Sequence, residues 1–290
     1  MYTNLNPRTM GLNHHDFDSL LSAAHKNNFK GIEVPSGAFE TPVAAKNAAK
    51  RLDDLGMRFG LIMAPCDMYR VDDDTFKQAL ETFKSWAELA HIAGCTRAFN
   101  HIWPGSNERD YEENFEWHIN RLTAIYNVLN NHGVRYGLEF MGPKTVRKTF
   151  KHDFIHSLIG VISLVEEVNN KIGFVFDTFH WYCSGSNLDD LQFAARHPER
   201  IINLHLSDAN ASFSYEDQVD DLRAMPMKNG IIDSIQILSL LNQSGYDGPV
   251  IIEPIKPTTD HYSEMELDDA VHDAITCLHA IFAAAGAEDC

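Results

Sequence analysis

Cysteine is scarce in this chain and carries no pattern. The five in 290 residues, Cys66, Cys95, Cys183, Cys277 and Cys290, are odd in number, widely spaced and form no C-x-x-C pair. That argues against a disulfide framework and a structural zinc site, and fits a reducing compartment. No stretch approaches the ~18 consecutive apolar residues of a membrane-spanning helix. The opening MYTNLNPRTM is polar and lacks a basic segment followed by an apolar one, so a cytoplasmic protein is expected. Positive charge is also in short supply: 24 Lys and Arg stand against 41 Asp and Glu, a formal charge of −17. Such a balance repels polyphosphate and anionic lipid, and neither nucleic acid nor membrane is expected as a partner. Walker, G-x-G-x-x-G and G-x-S-x-G motifs are missing, so neither a nucleotide cofactor nor a serine nucleophile is expected. No Gly/Ser-rich linker or charge block divides the chain, and residues 1–290 read as one domain.

What is present is an alternation. Short apolar runs are followed by amphipathic stretches, each closed by a glycine or asparagine cluster. Strands are predicted at Tyr2 to Asn6, Gly31 to Val34, Arg58 to Ala64, Thr96 to Ile102, Val134 to Met141, Ile172 to His180, Ile201 to Ser207 and Val250 to Ile255. Between them apolar residues recur at helical spacing, as in Phe76, Leu80, Phe83, Ala87 and Ala90, or Ile155, Leu158, Ile159, Ile162 and Val165. Strands joined through helices run parallel. Eight βα units averaging about 36 residues fit an α/β fold of the single (β/α)8 TIM-barrel type, with a doubly wound open sheet as the alternative. The stretch from Asp208 to Gly230 reads as a long functional loop, and the closing AAAGAEDC as a frayed tail.

In such a barrel, chemistry sits at the C-terminal ends of the strands, so a polar residue that ends an apolar run stands out. Glu139 ends YGLEFM, Asp177 lies in GFVFDTFH, His205 in INLHLSD and Glu253 in PVIIEP, on the fifth to eighth predicted strands in order. Three carboxylates and an imidazole converging on one point need a counterion, because like charges at a few ångströms raise one another's pKa values. One divalent cation supplies it. An O₃N set with open positions suits Mn²⁺, Mg²⁺ or Co²⁺ better than Zn²⁺.

With GIEV at 31–34, GLEF at 137–140, FDTFH at 176–180, HLSDAN at 205–210 and IIEP at 251–254, the chain resembles the xylose-isomerase-like TIM-barrel superfamily. The order and spacing look like those of ketose 3-epimerases and hydroxypyruvate isomerases. The resemblance implies that Glu139 and Glu253 both ligate the metal and act as acid/base catalysts, with Asp177 and His205 completing the coordination. It implies a substrate contact for His180, although three positions after Asp177 on an extended segment the side chain points the other way unless a local turn reorients it. Arg223 resembles an arginine that holds substrate and a catalytic carboxylate. Its surroundings, RAMPMKNG, depart from the family's usual arginine, proline and glycine-rich loop.

His101 and Trp103, after the fourth predicted strand, are further substrate-binding candidates, an aromatic being able to stack on the apolar face of a sugar. Glu33 in GIEV is assigned to the barrel architecture, and Met63, Cys66 and Met68 to packing or a pocket lining. The expected activity is a divalent-metal-dependent isomerase or epimerase of a small ketose or related keto-sugar, through a metal-bound enediolate with two glutamates exchanging protons. The alternatives are a metal-dependent lyase or dehydratase acting on a keto-sugar or inosose, an abasic-site endonuclease, and a noncatalytic accessory subunit. The endonuclease would need several zinc ions, extra histidines and a basic face. A small-molecule carbohydrate is the expected ligand, and a homo-oligomer the expected assembly.

Overall fold

The computed structural model describes residues 1–34, 39–65 and 71–290. Its strands are β1 (Tyr2–Leu5), β2 (Gly31–Ile32), β3 (Arg58–Phe59), β4 (Ile62–Met63), β5 (Arg97–Ile102), β6 (Gly105–Ser106), β7 (Arg135–Phe140), β8 (His152–Asp153), β9 (Gly173–Asp177), β10 (Ile201–Leu206) and β11 (Pro249–Ile252). Nine of them form one parallel sheet in the order β3-β2-β1-β11-β10-β9-β7-β5-β4. Its two ends are halves of a single stretch, since β3 and β4 are separated only by Gly60 and Leu61. Gly60 N donates to Ile32 O on one side, and Ala64 N to Phe99 O on the other. The sheet therefore closes on itself as a barrel, and the open-sheet alternative is set aside.

Long helices at Phe17–Lys26, Pro42–Asp54, Asp73–Ile92, Tyr111–Asn131, Leu158–Val168, Leu188–Arg196, Ser234–Gln243 and Leu267–Ala285 surround the strands. Their starts carry the expected chemistry. Asp16, Asp72, Asp110, Ser157 and Asp233 each accept a backbone N–H three residues on, and Thr41 precedes Pro42 at the first helical position. Buried Phe76, Phe83, Ala87 and Ala90 lie on the inward face of Asp73–Ile92. The second predicted pattern is narrower than expected: Ile155 precedes its helix and Ile159 is 41 % exposed. No helix among the described residues is long and apolar enough to cross a membrane.

Inside the ring, Leu61, Phe99, Val175 and Ile202 form a small apolar layer of their own. Glycine makes room for it, because a Cβ on Gly137 would lie 2.4 Å from Ile202 Cγ1. The pairing of β10 with β9 is shifted between Ile201 and Asn203, a bulge that changes which side chains of β10 face the barrel axis.

Three sequence expectations change. The sixth strand ends at Asp177 rather than His180, because the Asp177 carboxylate caps a helix, Thr178–Cys183, that starts there. The antiparallel pair β6 and β8 falls outside the predicted strands, being too short for any periodicity to register. The tail is tied down: Gly286 ends the last helix at φ 66°, Asp289 accepts from Thr3 N at 2.8 Å and Thr3 Oγ1 at 2.9 Å, and Cys290 N donates to Met1 O. Cys95, Cys183, Cys277 and Cys290 are free thiols, while Cys66 and Met68 lie outside the described residues.

The tail contact joins the last residues to the first strand through two bonds to a carboxylate, each of a kind worth roughly 1.5–3 kcal/mol when buried and somewhat less at this partly buried site. Asp289→Ala should lower the midpoint of equilibrium urea unfolding by an amount equivalent to about 1–2 kcal/mol, with the slope unchanged. An unchanged midpoint would return the tail to the frayed state.

Candidate functional site

The parallel register sets the height of the strand ends. His101 on β5 lies beside Glu139 on β7, and Asp177 on β9 beside His205 on β10. Glu253 directly follows β11, its N–H bonded to Leu206 O. One ligand atom from each of Glu139, Asp177, His205 and Glu253 falls within 4.8 Å of the others, and all four residues are buried. His205 Nδ1 is the hub, 3.0 Å from Glu139 Oε1, 3.1 Å from Glu253 Oε2 and 3.9 Å from Asp177 Oδ2.

Each acid is held by a different device. Asp177 Oδ1 accepts from Phe179 N at 2.7 Å and His180 N at 2.9 Å, which turns its Oδ2 toward the cluster. Glu139 Oε2 lies 3.0 Å from His101 Nε2. Glu139 Oε1 accepts no hydrogen bond although it is buried, the nearby His205 nitrogen lying off the bonding direction. Glu253 Oε2 takes Arg223 Nη1 at 3.1 Å.

Arg223 is the fixed cation of the site. Its Nη1 also reaches Asp177 Oδ2 at 2.8 Å, its Nη2 reaches Asp220 Oδ1 at 2.7 Å, and its guanidinium lies over the Phe179 ring. A loop whose sequence departs from the family pattern delivers it, and that loop is pinned from both sides. The Asp208 carboxylate accepts backbone N–H groups from Asn229, Gly230, Ile231 and Ile232. Asp208 bridges Ala224, and Leu222 bridges Ile255.

Charge and burial oppose each other here. Burial alone would raise the Glu139 carboxyl, but His205 and His101 outweigh it and hold the group well below the usual carboxylate range. Asp177 is likewise raised by burial and brought down further by Arg223 and His180. Burial would lower His205, yet Glu139 and Glu253 drive it well above its ordinary value. Glu33 has no such rescue: burial pushes it up to about 8 despite His205 and Arg8 nearby.

These donors fit a divalent cation. Three carboxylates and one imidazole converge, one buried carboxylate oxygen is without a hydrogen-bond donor, and the set leaves coordination positions for substrate oxygens. A cavity of about 320 Å³ opens over the cluster, its lining including Arg8, His101, Trp103, His180 and Arg223. Six of the eight residues singled out from sequence line this cavity, and the other two, Asp177 and His205, belong to the cluster beneath it. The helix that starts at Asp177 supplies the turn His180 needed, and Gly142 lets it pack, since a Cβ there would lie 2.1 Å from His180 O. Met63 packs against the inner apolar layer.

Arg8, Asp220 and the pair Glu33 and Asn203 were not singled out for the site. Arg8 lies two residues beyond the first predicted strand and ends no apolar run, and Asp220, three residues before Arg223 in a loop, gave no periodic signal. Asn203 donates to Glu33 Oε1 at 3.2 Å and lies 3.1 Å from His205 Nε2.

A sequence profile described as xylose isomerase-like TIM barrel matches residues 21–279. Inosose isomerase of Halalkalibacterium halodurans is 32 % identical over 158 residues, 54 % of this chain and 51 % of that protein, so the chain aligns with about half of the relative's length. Among solved structures, a xylose isomerase domain protein from Alicyclobacillus acidocaldarius superposes with a TM-score of 0.80 at 22 % identity over 99 % of both chains. The IOLI protein, crystallised with a zinc atom, superposes at 0.79 with 20 % identity, over 97 % of this chain and 98 % of that one.

Removing Arg223 leaves Asp177, Asp220 and Glu253 without their shared partner, and breaking a buried pair of this kind costs about 3–5 kcal/mol. Arg223→Met should lose about that much stability in chelator-treated protein. Saturating Mn²⁺ should narrow the gap to wild type, because the ion restores positive charge at the same oxygens. Equal losses with and without the ion would mean that Arg223 and the cation do not share the cluster.

Proposed function

The chain belongs to the xylose isomerase-like TIM barrel family, and within it we propose a divalent-metal-dependent isomerase or epimerase of a small ketose or related keto-sugar, inososes included. The observation that carries this reading is the pair Glu139 and Glu253, both against the His205 nitrogen at 3.0 and 3.1 Å, beneath a cavity of about 320 Å³. Similarity to an inosose isomerase supports the substrate class.

The cation held by Glu139, Asp177, His205 and Glu253 would polarise the substrate carbonyl and offset negative charge on its oxygens. One of the two glutamates takes the proton from the carbon beside the carbonyl, and the C–H electron pair becomes the double bond of an enediolate. If the other glutamate returns a proton to the opposite face of that carbon, the product is the epimer. If the proton returns to the former carbonyl carbon, with an O–H proton moving to balance it, the product is the aldose or ketose isomer. Arg223 fixes Glu253 and Asp177 so that neither carboxylate swings away when its partners' charge changes. His180, buried beside Arg223 at 3.3 Å, presents its ring to the substrate oxygens from the cavity wall. His101 holds Glu139 from the far side, and Trp103 offers an apolar face to the sugar carbons.

Glu139→Gln and Glu253→Gln keep a liganding oxygen but remove a proton acceptor. Each should lower the rate of C–H exchange, followed by NMR on a panel of ketoses and inososes, by about 10² to 10⁴. Substrate deuterated beside the carbonyl should show a primary isotope effect in single turnovers. Activity within tenfold of wild type in either variant takes that residue out of proton transfer, and a product lacking one water turns the reading to a lyase.

A further inference from the structure

A histidine that meets a cation through one nitrogen is only as well placed as its other nitrogen allows. His205 turns Nδ1 toward Glu139 and Glu253, so the orientation of the ring is decided at Nε2. At Nε2 stands the amide of Asn203, at 3.1 Å. Asn203 and His205 are fully buried two residues apart on β10, and their regular pairing with Val175 and Asp177 puts both side chains on one face, the amide below the imidazole. From across the barrel, Glu33 at the end of β2 fixes the amide in turn, with Asn203 Nδ2 3.2 Å from its Oε1. Glu33, Asn203 and His205 thus form a buried row that runs from one wall of the barrel to the cluster on the other.

The atoms in this row carry a tautomer argument. In the arrangement found, the amide nitrogen lies 3.1 Å from Nε2 and the amide oxygen accepts from Leu204 N, while Nδ1 faces the carboxylates, where the ion-free ring can hold a hydrogen. A ring that gives Nδ1 to a cation must instead carry its hydrogen on Nε2, and that hydrogen needs an acceptor. Asparagine can supply either, because half a turn of the amide exchanges its NH₂ for its oxygen, at the cost of the bond from Leu204 N. Leucine, similar in size, can supply neither.

We propose that Asn203 is the positioning residue of this centre: its amide, set between Glu33 and His205, fixes the ring of His205 with Nδ1 toward the carboxylates and presents its oxygen to Nε2–H when a cation is bound. The proposal rests on Glu139, Asp177, His205 and Glu253 being the cation's ligands. It makes Glu33, otherwise a residue of the barrel wall, the neighbour of the amide on the side away from His205.

The test is ion affinity, measured by competition of Mn²⁺ and Zn²⁺ with a chromogenic chelator, alongside the melting temperature of the ion-free protein. Asn203→Leu should bind either ion about 10- to 100-fold more weakly. Asn203→Asp, which keeps an acceptor at Nε2, should bind at least as tightly as wild type. Should the leucine variant fail to fold, Asn203→Ser, too short to reach the ring, stands in for it with the same expected loss. In ¹⁵N-histidine-labelled wild type loaded with Zn²⁺, the His205 ring hydrogen should be on Nε2. The proposal falls if the leucine and serine variants bind within threefold of wild type, if the aspartate variant loses as much as the leucine variant, or if the loaded ring carries its hydrogen on Nδ1. Wild type that binds neither ion overturns the metal reading itself, a result distinct from each of these.

Discussion

The structure turns on the cost of placing Glu139, Asp177 and Glu253 in a dry barrel throat, all within 4.8 Å of one another at their ligand atoms. Desolvation alone would neutralise them by raising their pKa values. Arg223 and His205 prevent this, Arg223 by reaching two of the three acids from its Nη1 and His205 by placing Nδ1 among all three. The two positive groups differ in kind. Arg223 keeps its charge at any accessible pH, whereas His205 can exchange a proton for a cation. The cluster is therefore compensated by one permanent partner and one that a cation could replace.

The barrel serves this by bringing four strand ends to one height. Parallel pairing fixes His101 beside Glu139 and His205 beside Asp177 with no freedom to slip, because a shift of one residue would turn each side chain to the opposite face. Arg223 belongs to no strand, and its loop is pinned instead by the Asp208 carboxylate, which gathers four successive backbone N–H groups from 229 to 232. A carboxylate used in this way does for a loop what a cap does for a helix. The departure of RAMPMKNG from the family pattern is thus compatible with an arginine in the site, because position is set at the base of the loop rather than by the residues around Arg223.

The legible part of the sequence follows from the same physics. A strand covered on both faces reads as a continuous apolar run, so a single acid or histidine near its end is conspicuous, and Glu139, Asp177, His205 and Glu253 could be picked out one per strand. What stayed hidden has particular causes. Asn203 lies two residues before His205 and so shares its face, but what marks it is its contact with Glu33, 170 residues away. Asp177 both ends a strand and caps a helix, so FDTFH reads as one extended run while the chain turns after its second residue. Asp289 sits in a small, polar tail whose composition says frayed, and only the three-dimensional neighbourhood of Thr3 says otherwise. In each case the missing information is a contact between distant segments or a change of backbone period, neither of which a local window contains.

Glu33 joins the barrel wall to the polar cluster through Asn203. Its carboxyl is pushed up to about 8 by burial, so near neutral pH it is largely protonated and adds little charge to a throat that already holds three acids. A charged residue there would compete with Glu139 and Glu253 for the same positive partners. A purely apolar one would leave the Asn203 amide without its partner across the barrel. A buried acid that keeps its proton satisfies both demands at once, filling a hydrogen-bonding position without a full charge. The wall and the centre are therefore joined through polar atoms that are nearly neutral on one side and strongly ionic on the other, and Asn203, which can donate or accept, is the side chain that stands between them.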